Sequence, residues 1–91
     1  MPGDGAARPA ILARVCALLT ERLGLETDDG ARDEATGLLG QGIGLDSVEV
    51  LQLVSAIEEA WGLTIDDADL QREHFATLGT VVTFIQDRLP A

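Results

Sequence analysis

An all-α fold is what the sequence predicts, a small four-helix bundle of three main helices and one short one. Three observations carry that expectation. Apolar residues recur at helical spacing in three separate stretches, within residues 11–23, 50–61 and 78–89. Residue types that start and stop helices bracket each stretch: Pro9 and Gly24, Asp46 and Gly62, Thr77 and Pro90. No stretch carries a strand signal. The 91 residues allow one domain, expected over residues 9–91 behind a flexible segment 1–8 rich in Gly, Pro and Ala. Hydrophobic residues make up 46% of the chain, enough for a core, but aromatics only 3%, so Leu, Val, Ile and Ala must fill it. A chain this short buries about 60–65% of its unfolded surface, which makes for modest stability.

Pro9 suits a first helical turn. Ile11, Leu12, Val15, Cys16, Leu19 and Leu23 then fall on one stripe, and Gly24 closes the first helix. Cys16 lies at the edge of that stripe as a small core hydrophobe, with no base to make it a nucleophile. As the single cysteine it can form no internal disulfide, which fits a reducing compartment. Residues 24–46 form a long connection that needs apolar anchors, and Leu25, Leu38, Leu39, Ile43 and Leu45 can supply them. Asp28-Asp29-Gly30 and Asp33 are turn and capping chemistry, with a short helical turn expected near Asp33 to Leu39. The acids Asp28, Asp29, Asp33 and Glu34 lack the alternation, central Gly and closing Glu of an EF-hand loop, so they read as solvated surface.

The central helix runs from Ser47 to Trp61. At about 100° per residue, Val50, Leu53, Val54, Ile57 and Trp61 share one face, and Gly62 is a natural stop. Val48 and Leu51 fall on the other side with Gln52, Ser55, Glu58 and Glu59. Two apolar residues set among acids make a docking face, although scattered surface apolars are also ordinary. Leu63-Thr64-Ile65 is a short extended link, after which Asp66 or Asp67 caps a short third helix with Leu70 facing inward. His74 has no second histidine and no nearby cysteine, so it is assigned to surface or packing rather than to catalysis or a metal. Thr77 caps the final helix, whose inward stripe is Leu78, Val81, Val82, Ile85 and Leu89, with Phe84 at its edge and Pro90 at its end.

Sixteen acids stand against six bases, all arginine, for a formal net charge of −10. Phosphates would repel such a surface, which argues against nucleic acid and anionic membranes as partners. No run approaches the ~20 apolar residues of a membrane span. The opening Met1-Pro2-Gly3-Asp4-Gly5 lacks the basic and apolar blocks of a signal peptide, so a cytoplasmic protein is expected. Partners with basic patches are favoured, since opposite fields steer encounter. Acidity also serves plain solubility.

The stretch with most chemistry is Gly42-Ile43-Gly44-Leu45-Asp46-Ser47-Val48-Glu49. Its glycines let the backbone turn tightly. Asp46 is a good N-cap, and Glu49 three residues later completes the Asp-x-x-Glu form of a capping box. Ser47 then falls at the first helical position, on the surface, where the helix dipole and free amides favour a negative group. No histidine activates Ser47 and no Gly-x-Ser-x-Gly elbow surrounds it, so it reads as a place for modification, not as a nucleophile acting alone.

Leu45-Asp46-Ser47-Val48 followed by an acidic amphipathic helix resembles the attachment site of acyl carrier proteins. In that family the motif is Asp-Ser-Leu or a close variant, and the serine is esterified with 4′-phosphopantetheine, whose thiol carries an acyl group as a thioester. Leu39 and Ile43 match the family's apolar anchors before the serine. Glu58-Glu59-Ala60-Trp61-Gly62 matches its Glu-Glu-x-Phe-Gly, and Phe75-Ala76-Thr77-Leu78-Gly79 matches the segment that opens its last helix. The resemblance covers residues 9–89. It implies a free-standing, monomeric carrier rather than an enzyme, with 4′-phosphopantetheine on Ser47 beside Asp46. A phosphopantetheinyl transferase would modify it from coenzyme A. Its other partners would be an acyltransferase, a ketosynthase, or adenylating or ligase enzymes with basic patches, meeting a face of Val48, Glu49, Leu51, Glu58 and Glu59.

The chain departs from the family's fatty-acid members on that face. Gln52 stands where they carry an acid and Ser55 replaces a bulky apolar residue; apart from the face, the 66–74 stretch is about two residues longer, which bears on the shape of the third helix. A short start with its own Met, an arginine-only basic set, Gln52 and Ser55 lean towards a dedicated carrier in polyketide or related natural-product assembly. Two alternatives stay open. A peptidyl or aminoacyl carrier would share the fold and arm, but its usual Gly-Gly-His-Ser or Gly-Gly-Asp-Ser and less acidic surface differ from Gly44-Leu45-Asp46-Ser47 and the −10 charge. An acidic helical interaction module would have no prosthetic group.

Overall fold

A computed structural model of the chain describes residues 7–25, 33–39 and 43–89. The predicted Asp28-Asp29-Gly30 turn, Gly42, the Pro90 stop and residues 1–6 of the N-terminal segment lie outside them. Three α-helices make the bundle: α1 (Arg8–Leu23), α2 (Ser47–Trp61) and α3 (Leu78–Arg88). Among the described residues there is no strand, only an isolated bridge between Gly37 and Thr77. The all-α bundle therefore stands as the sequence has it.

Helix α1 packs against both α2 and α3. Ile11, Val15, Cys16 and Leu19 of its predicted stripe are buried, Leu18 joins them, and Leu12 and Leu23 are half-buried. Leu53 and Ile57 from α2 and Val81, Val82 and Ile85 from α3 close the core, where no polar or charged residue among those described is buried. Val50 and Trp61, placed on the α2 core stripe by periodicity, are only half-buried at its margin.

The helix begins at Arg8, which the sequence assigned to the segment 1–8, and that arginine is firmly bound. Its guanidinium donates to the Glu34 carboxylate, to Thr83 Oγ1 at 2.9 Å, to Gln86 Oε1 at 3.3 Å and to the Gly79 carbonyl at 3.2 Å. One side chain thus ties α1, the long connection and α3 together. The hydrogen bond from Arg8 holds the Glu34 carboxyl below its ordinary range, against a smaller opposing effect of desolvation.

The connection differs from expectation in its middle. A tight turn replaces the helical turn near Asp33 to Leu39: the Thr36 N–H donates to the Asp33 carbonyl at 3.0 Å, and the Ala35 N–H to its carboxylate at 2.8 Å. Beyond the turn the chain extends along the start of α3. The first amides of a helix have no intrahelical partner. Here the Leu78 N–H donates to the Thr36 carbonyl at 2.9 Å, the Gly79 N–H to the Glu34 carbonyl at 2.8 Å, and the Thr80 N–H to Thr77 Oγ1 at 3.1 Å. The approach at Gly79 is close, since a Cβ there would lie 2.9 Å from the Glu34 carbonyl oxygen.

The predicted short helix is divided into two 3₁₀ turns, Asp67–Asp69 and Arg72–Phe75. Ile65, Leu70 and Phe75, the residues that anchor this stretch, are five apart. On an α-helix that spacing turns successive side chains by about 140°, off any common face, whereas two tight turns can aim each inward. Leu70 is half-buried and Phe75 fully buried. The Phe75 ring lies 5.6 Å from that of Phe84. Phe84 is accordingly buried rather than at the edge of α3, with the His74 ring 4.9 Å away and the Arg88 guanidinium 3.7 Å above it.

Candidate functional site

The loop into α2 hangs on Leu38, whose side chain is fully buried. The Leu38 carbonyl accepts from the Gly44 N–H at 2.9 Å and the Leu45 N–H at 2.8 Å. This double contact requires the chain to turn at residue 44, where φ is 81°, a conformation that glycine takes without a Cβ penalty. Leu45 is buried, and Asp46 follows in extended conformation as the N-cap. The capping box is complete in both directions. The Glu49 N–H donates to Asp46 Oδ1 at 2.8 Å, and the Asp46 N–H donates to Glu49 Oε1 at 3.1 Å.

Ser47 is thereby set at the first position of α2, exposed. No described residue hydrogen-bonds its hydroxyl, so among the described residues no base is in place to activate it. His74 is engaged elsewhere, its Nδ1 lying 2.9 Å from the Asp69 carbonyl oxygen while its ring packs on Phe84. Among the described residues, no cluster of His, Cys, Asp and Glu could hold a metal ion. Among the described residues no helix is long and apolar enough to cross a membrane.

Beside Ser47 opens a groove of about 490 Å³ between the start of α2 and the 3₁₀ stretch. Leu45, Val50, Leu51, Leu70 and Phe75 make much of its lining, and Asp46, Ser47, Gln71 and Arg72 are at its polar margin. That volume lies within the roughly 300–1,000 Å³ of clefts that take small molecules. Sequence reasoning did not single out Arg72. Its only signal was to be the one arginine in the acidic stretch 66–74.

The outward face of α2 is uneven. Val48 and Leu51 are 63% and 55% exposed, the large hydrophobics that the described surface leaves in solvent. The three acids grouped with them have internal bonds. Glu49 completes the cap. Glu58 accepts from the Ile65 N–H at 2.8 Å, and Glu59 pairs with Arg22 of α1. At about 1.5 Å per residue, Glu58 and Glu59 lie some 16–18 Å along the axis from Ser47, towards the other end of the helix. The helix stops at Gly62 in the left-handed conformation, with φ of 65°.

Comparison with known proteins addresses the whole of this arrangement. Residues 13–85 match the family model described as the phosphopantetheine attachment site. An acyl carrier protein of Thermotoga maritima is 32% identical over 84 residues, which span 92% of this chain and 98% of that protein. An acyl carrier protein of Prochlorococcus marinus is 34% identical over 76 residues, 84% of this chain and 89% of its own. No solved structure matches significantly.

Proposed function

Since the chain belongs to the acyl carrier protein family, we propose that it carries acyl groups on a 4′-phosphopantetheine arm esterified to Ser47. The observation that carries this reading is the Ser47 hydroxyl itself: exposed, free of hydrogen bonds among the described residues, and fixed by a complete capping box. The residues fit the group. Amides at the start of α2 favour the negative charge of a phosphate, and the apolar lining beside Ser47 suits an uncharged arm. When bound, the arm supplies a terminal thiol on which an acyl chain rides as a thioester. The chain's own part is presentation. Ser47 offers the oxygen, Asp46 and Glu49 hold its backbone, and the buried Leu38 and Leu45 keep the approaching loop in place.

The family membership supports a phosphopantetheinyl transferase as the first partner, and an acyltransferase, a ketosynthase, or adenylating or ligase enzymes as later ones. The face they meet comprises Val48 and Leu51 for apolar contact, with Asp46, Glu49, Glu58 and Glu59 supplying negative field. A −10 chain favours partners with basic patches and fast, salt-sensitive encounter. Gln52 and Ser55 on the same face support a specialised pathway, polyketide or related natural-product assembly, with the protein acting as a monomer in the cytoplasm. Ser47→Ala is expected to end cargo loading while leaving helix content by circular dichroism unchanged. Loading retained in that variant would refute the site.

A further inference from the structure

We propose that Arg72 pairs with the phosphodiester of the arm and lays the arm along the groove, an inference that rests on attachment at Ser47. An ester at Ser47 adds a negative charge to a chain already at −10, next to the exposed carboxylate of Asp46. Beyond the helix amides, a cation within reach would offset that charge, and the described arginines differ in availability. Arg8 is bound to Glu34, Arg22 to Glu59, and Arg88 to Asp69 and the Phe84 ring. Arg14 sits on the exposed side of α1 and does not line the groove. Arg72 lines the same groove as Ser47, is exposed, and among the described residues no carboxylate holds it.

The backbone that bears Arg72 is well anchored. Phe75, three residues on, is buried, and the His74 N–H donates to the Gln71 carbonyl at 2.9 Å. A guanidinium presents a planar fork of donors that matches phosphate oxygens, and charge-assisted bonds of this kind are the strong ones. The arm leaving Ser47 would then run past Leu70 and Phe75 rather than straight into solvent. The same guanidinium could instead receive a carboxylate at the end of a cargo, so the test uses protein whose arm carries no cargo.

The experiment compares apo protein with cargo-free holo protein, both labelled with nitrogen-15, after intact mass and peptide mapping confirm one arm on Ser47. The Nε–Hε signal of Arg72 is expected to shift and to exchange more slowly with solvent in the holo form, while that of Arg14 stays in place. Arg72→Gln holo protein should give a sharper phosphorus-31 line than wild type, and Arg72→Lys an intermediate one. The holo shift should collapse near 1 M salt, where screening acts within about 3 Å. An arm on Ser47 with the Arg72 signal unmoved would overturn the inference alone. An arm found elsewhere, or none, would overturn the attachment reading and this inference with it.

Discussion

Leu51 and Leu53 stand two residues apart on α2 and meet opposite surroundings. Leu53 has no surface in solvent, while Leu51 leaves 55% of its surface there. A second contrast runs along the outward face itself. Near Ser47, Val48 and Leu51 leave more than half of their surface in solvent, whereas at the far end Glu58 and Glu59 are bound within the fold. The inward face holds the domain together. On the near part of the outward face Asp46 and Glu49 are taken up by the cap, while the exposed Val48 and Leu51 suit a surface for exchanging partners. Glu49 is marked in the sequence by its place three residues after Asp46, but nothing there shows what Glu58 and Glu59 hold until their bonds are seen.

The largest effect should come from the two leucines. Leu53→Ala is expected to lower unfolding free energy by about 2–5 kcal/mol, through lost burial and the cavity left behind. Leu51→Ala should stay within about 0.5 kcal/mol of wild type. Denaturant titration of both variants checks this, and equal losses would break the comparison. A smaller effect should separate the two ends of the outward face. Glu58→Ala leaves the Ile65 N–H without its acceptor and is expected to cost on the order of 1 kcal/mol, with faster hydrogen exchange at that amide. Val48→Asp should leave stability nearly unchanged but slow turnover by partner enzymes. Stability lost at Val48 and kept at Glu58 would reverse the assignment.

The smallest effect is a pH dependence away from α2. Because Glu34 has its pKa lowered in the folded state by the Arg8 hydrogen bond, folding favours its charged form. Its contribution is complete above the ordinary glutamate value of 4.5 and is lost as pH falls through the lower folded value. The stability difference between wild type and Arg8→Gln should therefore be level above that range and shrink below it. Acid titration of both proteins reads this, and a difference that grows on acidification would contradict it.

Much of this architecture was legible because it is local. The Asp46–Glu49 capping box, the Gly62 stop and the centres of the inward stripes depend on residues within a turn or two of one another, and they are found where periodicity and capping chemistry put them, while stripe ends such as Val50 and Trp61 are only half-buried. What escaped depends on distant partners. Arg8 finds Gly79, 71 positions away, and Thr83, 75 positions away. Residues 34–36 bond the first amides of α3, a contact that residue types do not encode. Gly79 did offer a signal, since glycine in a helical turn costs about 1 kcal/mol relative to alanine and so marks a close approach. Phe84 moved from the edge to the interior because Phe75 and His74 cover it from another element. At the candidate site, Ser47 could be singled out from its cap alone. The groove and Arg72 could not, because a groove exists only once two segments have packed.

The most direct test of the central claim is the intact mass of the folded protein after incubation with coenzyme A and a broad-specificity phosphopantetheinyl transferase, beside a Ser47→Ala control. One added arm on the wild type and none on the variant is the expected result. No added mass on the folded wild type, or the same gain on both, would contradict the assignment of Ser47 as the attachment residue.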